Sequence, residues 1–561
     1  MQRLSGAVHA NPNPEDCARW GRPRTKKPAQ KSICPAWDFG VTYGTDSEGA
    51  VAKRFDFGGV NLSAGEESSN ARVRDDTPFS ILILGDFSGR KNRGVCDAQT
   101  IANRRPIEID RDNFDQVLSR LHVELKLPLG ESGSIRLQFS ELEDFHPGRI
   151  FERIGAFETL RSLRSKVADA STFQEAAREL GLASRDTIAI QAQEKKVVKA
   201  PAHPPSAVQI ASGHLLDEMI AETESRVSES PRSSDPVQDF ARRLAEQHSQ
   251  NTPDPRQAQV LAVLDHAVGG LMRAILHNQD FQQLESIWRA TSYLVRQLDT
   301  GPRLKVYMLD VSKEELAADL NSKSNLRDTG MYSALAESAE SPGAVPWATI
   351  AGCYAFDEQN ENALLLARMA QIAERAGAPF VAQASPRLLG CASLNSASHV
   401  RDWRGAPTWW AELRRRPEAR YLGLGLPRFL LRLPYGRKTS ALESFDFEEF
   451  LEEIGHEDYL WGNPAFAVAL LLGQSFSESG PEMRPGRLAE ILHLPLHIVT
   501  HGGESQAKPC AEVLFTEETV AAIIDAGLMP LVSFKNRDLI RVARFQSIAE
   551  PASPLAGPWV S

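Results

Sequence analysis

Two proline- and serine-rich runs, KAPAHPPSAVQ and SESPRSSDPVQ, lie between residues 196 and 256 and divide the chain into two stretches that read as folded. Such composition has no apolar periodicity and makes a flexible linker. Any fold must then be assembled from two blocks, about 51–195 and 257–561, joined by a long tether. At 561 residues the chain is long enough for more than one core.

In the first block, PFSILILGDFSGR reads as a buried strand that rises out of Pro78 and stops at Gly85-Asp86. DRDNFDQVLSRL reads as a helix capped by Asp110 or Asp112, with Phe114, Val117, Leu118 and Leu121 on its apolar face. IRLQFSELEDF alternates Ile135, Leu137 and Phe139, the period of a half-buried strand. HPGRIFERIGAFETLRSLRSKV reads as one helix, since Ile150, Ile154, Phe157, Leu160, Leu163 and Val167 recur every three or four residues. TFQEAARELGL adds a short helix closed by Gly181. Residues 1–50 mix Pro, Gly, Ser and charge and are expected to form a disordered tail; Val51, in VAKRFDFGGVNL, is expected as the natural start, read from a valine-type start codon, which would make residues 1–50 non-native.

The second block alternates strands and helices. RLKVYMLDV, WATIAGCYAF and PFVAQAS read as strands, with Leu304, Val306 and Met308 on one face of the first. Leu264, Val268, Leu271 and Ile275 mark one helix, and Phe281, Leu284, Trp288, Thr291 and Val295 the next. KEELAADL and NALLLARMAQIAERAGA supply two more, the latter ending at Gly377. This alternation predicts an α/β fold with parallel neighbours. Inside the linker, SGHLLDEMIAETES reads as a short helix over 214–224 with Leu215, Leu216, Met219 and Ile220 as its stripe. Alone it is marginal in water, so it needs a surface, on its own chain or on a partner.

Net charge is −10, which gives no general attraction to nucleic acid or anionic membrane. No apolar run suffices for a bilayer span, and the first thirty residues lack a signal sequence's apolar centre. Six cysteines without a Cys-x-x-Cys pair predict no metal site and fit a reducing cytoplasm. LGDFSGR lacks the Lys of a Walker loop, and no G-x-G-x-x-G is present, so neither a nucleotide nor another cofactor is expected; Gly85 and Gly89 suit a turn with positive φ. In GLGLPRFLLRLPYG, Arg428 and Arg432 stand among apolar residues, either paired within the domain or facing another subunit. FDFEEFLEEIGHEDYL is expected to be a helix with a solvated acidic face, backed by Phe447, Phe450, Leu451 and Ile454. In LWGNPAF, Trp461 anchors a turn and Pro464 opens a helix. No nucleophile elbow and no H-E-x-x-H nominate a catalytic centre.

PFSILILGDFSGR, RRPIEIDRDNFDQVLSRL and LQFSELEDFHPGRIFERIGAFETLRSLRSKV resemble the small subunit of the type VI secretion contractile sheath. ILHNQDFQQLESIWRATSYLV, LKVYMLDVSKEELAADL, APFVAQASPRLLG, ARYLGLGLPRFLLRLPYG and FDFEEFLEE with YLWGNPAFAVA resemble the large subunit. The resemblance implies a fusion of the two with a phage-tail-sheath-related fold: mixed sheets flanked by helices, in two blocks joined by a disordered linker. It implies a scaffold with no catalytic residues, assembled with other sheath subunits around an inner tube on a baseplate and dismantled by an AAA+ ATPase. It implies that the linker helix, through Leu215, Leu216, Met219 and Ile220, is the handle for that ATPase. It also implies that the helix carrying Ile150, Ile154, Phe157, Leu160 and Leu163 packs on the large-subunit block. The family's large subunit normally runs on past AGLMPLVSFKNRDLIRVARFQS with strands that lace neighbours together by edge pairing. This sequence stops soon after that stretch, which keeps an accessory, capping or adaptor role beside the sheath itself. An enzyme acting on a phosphorylated ligand at Gly85–Arg90 or Gly423–Gly436, with a pocket at a strand carboxyl edge, is the remaining alternative.

Overall fold

A computed structural model describes residues 77–129, 133–180, 255–337, 346–394, 400–451, 455–501 and 504–559. The 1–50 tail, the Val51 start, Gly181 and the linker helix with Leu215, Leu216, Met219 and Ile220 lie outside these residues.

The strands in chain order are β1 Phe79–Gly85, β2 Ile107–Glu108, β3 Val123–Leu129, β4 Gly133–Phe139, β5 Leu304–Asp310, β6 Trp347–Phe356, β7 Phe380–Ala384, β8 Leu422–Leu426, β9 Phe429–Leu430, β10 Trp461–Gly462, β11 Glu490–Ile491, β12 Ile498–His501, β13 Glu504–Ala507, β14 Met529–Ser533 and β15 Ile540–Val542. Nine of them form one mixed sheet in the order β11-β15-β14-β8-β7-β6-β1-β5-β2. β3–β4, β9–β10 and β12–β13 are separate antiparallel pairs. The mixed α/β architecture expected from the alternation is present.

β1 explains the sheet. All seven of its residues are buried, which suits only a strand covered on both faces. It lies parallel between β5, in register from Phe79↔Leu304 to Gly85↔Asp310, and β6. The first block therefore supplies a central strand of the second block's sheet. Alternate side chains go to opposite layers. Ile81 and Ile83 join the core that contains Trp288, Val268 and the β3–β4 hairpin. Leu82 and Leu84 join the core under Leu366, Ile372 and Trp409.

The α-helices longer than three residues among the described residues are α1 Arg90–Arg93, α2 Phe114–Arg120, α3 Pro147–Arg153, α4 Glu158–Ala168, α5 Phe173–Glu179, α6 Pro255–Leu276, α7 Gln279–Gln297, α8 Lys313–Ser322, α9 Asn360–Ala376, α10 Thr408–Arg414, α11 Pro464–Ser479 and α12 Glu517–Asp525. Among the described residues, only Arg256–Leu276 is long and apolar enough to cross a membrane. Its Val268, Met272, Ile275 and Leu276 are buried in the protein core.

Three expectations change, and one segment left without an element gains one. The single helix expected over 149–167 is two helices, α3 and α4, separated by the turn Gly155–Phe157, because Ile154 leaves helical geometry at ψ 128°. Neither Asp110 nor Asp112 caps α2: Asn113 holds the N-cap position without a side-chain capping bond, and Asp110 accepts the N–H groups of Asp112 and Asn113. GLGL is the buried strand β8. Residues 446–451 are not helical; the irregular chain there turns Phe447 inward and carries Glu449 into the core, at 1% exposure. A helical face would have kept that carboxylate in water and left Arg432 with only one of its two partners, Glu285.

Candidate functional site

Three charged nodes tie the fold together, and the first of them joins the two blocks. The first lies at the Gly85–Arg90 turn. The peptide N–H groups of Phe87 and Ser88 donate to Asp310 Oδ1 at 2.8 and 3.2 Å, and Ser88 Oγ donates to Oδ2 at 2.7 Å. A carboxylate from β5 thus holds the donors that a phosphate would need. Arg90 Nε donates to both oxygens of Glu315, at 3.0 and 2.9 Å, and Arg104 donates to the same group at 3.0 and 2.6 Å. Gly89 has φ 75°, as expected. Gly85 does not have positive φ; it is glycine because a Cβ would stand 2.3 Å from Ile287 Cδ1 and 3.1 Å from Cys353 Cβ.

Glu315 is the third residue after Ser312 in a reciprocal capping box at the start of α8. Burial would raise its pKa, but the hydrogen bonds from Arg104 and Arg90 outweigh burial and hold it down to about 2. Burial raises Asp86 and Asp310 instead.

The second node surrounds Arg432. Its guanidinium reaches Glu285 at 2.9 Å and Glu449 at 2.8 Å, with both carboxylates essentially inaccessible. Arg289 donates to Glu285 at 2.6 Å and to the Tyr435 hydroxyl at 2.9 Å. Tyr435 N–H closes the circuit onto Glu449 at 2.7 Å. Burial acts to raise Glu449, but the charge of Arg432, the nearby His277 ring at 3.7 Å and the hydrogen bonds from Arg432 and Tyr435 bring it down to about 2. Burial pushes the Tyr435 phenol up to about 12.

The third node surrounds Arg428, whose Nε donates to Glu512 at 2.8 Å and whose Nη2 donates to Glu457 at 2.9 Å. His456, Glu457 and Glu512 converge closely enough to hold a cation. Arg428 already occupies Glu512 and Glu457, and Lys508 Nζ stands 3.1 Å from His456 Nδ1, so the charge of a metal ion is opposed there.

Arg428 and Arg432, one of whose expected roles was contact with another subunit, are thus both paired within the chain. Ile150 and Phe157 are buried in the main core, and Ile154 and Leu160 pack against it. Phe151 lies 4.7 Å from Phe445 of the second block, ring to ring. Leu163 belongs to a separate cluster with Val167, Phe173, Val260 and Leu264. Arg164 pairs with Asp265 beside it at 2.7 Å. Glu285, Asp310 and Glu315 were not anticipated. Their signals were a Glu beside Leu284 on an apolar helix face, an Asp closing a buried strand, and the Ser-x-x-Glu cap of SKEEL.

The first and third nodes border a cavity of about 720 Å³ at the carboxyl ends of β1, β5, β6 and β7, lined from Asp86 and Lys91 to Arg428 and Trp461. It joins the two segments singled out for a phosphorylated ligand. Its five carboxylates, Asp86, Asp280, Glu314, Glu457 and Asp458, outnumber Lys91, Lys313 and Arg428, which opposes an anion.

The stability contributed by Glu315 and Glu449 has a defined pH window. Both are depressed, so their contribution is complete above the ordinary carboxylate range and is lost as pH falls through it toward 2. Asp86 and Asp310, shifted upward, act oppositely, and they are already protonated before that loss is complete. Urea midpoints should therefore drop steeply as pH falls from 4.5 to about 2, the span of the two carboxylate shifts. Glu449→Gln should flatten that drop; an unchanged slope in this variant would refute the assignment.

Residues 258–549, more than half of the 561-residue chain, match the VipB family, a tail sheath N-terminal domain. Residues 59–199 match the VipA family of the type VI secretion system. The chain is 35% identical over 305 residues to the type VI secretion system sheath protein TssC1 of Pseudomonas aeruginosa, covering 52% of this chain and 61% of that relative. It is 25% identical over 122 residues to the sheath protein TssB1 of the same organism, covering 21% of this chain and 69% of that relative. The chain thus spans less than two thirds of the length of TssC1. With one family matched on each side of the linker and the larger match taking in most of the second block, the chain belongs to the VipB tail-sheath family and carries a VipA segment ahead of it in the same polypeptide.

Proposed function

We propose that this chain is a one-piece protomer of a type VI contractile sheath, a scaffold without turnover. One observation carries the reading: β1 of the VipA segment sits between β5 and β6 of the VipB segment, so the fused pair completes a single sheet. In this reading the protomers assemble in the cytoplasm with other sheath subunits, on a baseplate and around an inner tube. Contraction drives the tube outward, and an AAA+ ATPase dismantles the spent sheath through the 214–224 segment, with Leu215, Leu216, Met219 and Ile220 as its anchors. The charged nodes serve as fasteners in this reading, since their buried donors and acceptors are spent on one another.

Negative-stain electron microscopy of the full chain, alone and mixed with separate small and large sheath subunits, tests this. Tubes or rings are expected. Chains that decorate only the ends of sheaths built by the separate subunits would replace the protomer with a capping accessory. Chains that associate in neither sample would overturn both.

A further inference from the structure

The cavity at the carboxyl edge has a definite chemical bias once its internal bonds are counted. Each fixed cation in its wall is engaged: Lys91 with Glu314 at 2.7 Å, Lys313 with the Ala355 carbonyl at 2.6 Å, and Arg428 with Glu512 and Glu457. The carboxylates keep spare lone pairs. Asp280 accepts from Asn92 at 2.7 Å through one oxygen. Glu457 meets Arg428 and is otherwise open, with its side chain 74% exposed. The amides of Gln279, Gln283 and Gln383 line the same space, with no side-chain hydrogen bond among the described residues. Surplus acceptors and adaptable amides favour a ligand that brings donors and positive charge. A guanidinium offers five donors in a rigid fork.

The same chain exposes that group at the other end of the sheet. β1, β5, β6, β7 and β8 are mutually parallel, so they share one carboxyl edge and one amino edge. The turn Pro417–Tyr421 runs into the start of β8 and so stands at the amino edge. Arg415 precedes that turn and Arg420 lies in it; both are exposed, with Arg420 lying over the Tyr421 ring at 5.3 Å.

We propose that the carboxyl-edge cavity of one copy receives Arg415 and Arg420 from the amino edge of a second copy of this chain. Because the two surfaces lie at opposite edges, the contact is head-to-tail, and repeating it extends an open stack instead of closing a two-fold dimer. This deepens the sheath reading and rests on it: it names a surface through which protomers meet.

Charge exchange in the full chain tests the contact without removing an internal bond from the cavity. Gln279→Lys with Gln283→Lys adds two cations to the cavity wall. Arg415→Glu with Arg420→Glu makes the amino-edge surface acidic. Sedimentation of the full chain reads the contact, and microscopy with added separate sheath subunits reads the sheath. Wild type should self-associate, more weakly as salt rises. Either double variant should associate about tenfold or more weakly, since like charges then face each other. Combining all four substitutions should return self-association to within about threefold of wild type. Double variants that associate like wild type, or a combined variant no better than its parents, would overturn the contact. Wild type that stays monomeric yet enters sheaths with the separate subunits would overturn the contact and spare the sheath reading. Self-association that yields no tube or ring in any mixture would do the reverse.

Discussion

Arg432→Ala should lower the unfolding free energy by about 3–5 kcal/mol, enough to consume much of a domain's stability. The arginine lies between Glu285 and Glu449, each within 2.9 Å and each inaccessible to water. Removing it leaves two buried carboxylates facing each other, with Arg289 compensating only Glu285. The loss is therefore electrostatic, and a test of size alone separates the causes. Arg432→Met keeps much of the side-chain volume and should be nearly as damaging. If Arg432→Met were instead close to wild type in urea unfolding at neutral pH, packing and not charge would be what the site supplies. Lowering the pH should narrow the gap between Arg432→Ala and wild type, because protonation relieves the stranded carboxylates.

Trp288→Ala should cost about 3–5 kcal/mol as well, through a cavity. Trp288 is fully buried on α7 and stands against Phe87 at 5.4 Å and Phe114 at 5.6 Å, both from the first block. Its indole N–H donates to the Phe87 carbonyl at 2.9 Å. One side chain thus joins the helix to both the strand-end turn and α2. The expected result goes beyond lower stability. If the linker is cut by limited proteolysis, wild-type halves should stay together on a sizing column, whereas Trp288→Ala halves should separate. Halves that remain together in the variant, with unchanged urea midpoints, would show that the seam does not depend on this contact.

Much of this architecture is legible in the residues. PFSILILG reads as a doubly covered strand, because five apolar residues in six, Phe79 and Ile81–Leu84, leave no polar face. The α7 and α9 stripes and the Asn463-Pro464 helix start are set by local rules. The nodes resist this treatment, since each depends on partners far apart in the chain. The run FEEFLEE carries a helical period of aromatics and acids, and local propensity favours a helix there. Tertiary structure overrides it, because Arg432 needs a carboxylate and only an irregular chain delivers Glu449. Gly85 shows the same limit: a glycine after a strand suggests a turn, whereas its cause is the side chain of Ile287 on a helix two hundred residues away. A local pattern reports what a segment can become, and the partner decides which possibility is used.

The placement of β1 also has a consequence for the order of synthesis. It emerges from the ribosome early, yet its two neighbours come from far downstream; Arg90, just past its end, and its partner Glu315 are 225 residues apart. Until β5 and β6 arrive, a strand with two apolar faces and two open edges has to be kept from pairing with nascent copies of itself. When the segments are encoded separately, each cell must also match their amounts. Here translation of a single message fixes the ratio at one to one, and the strand that waits is tethered to the sheet that will receive it.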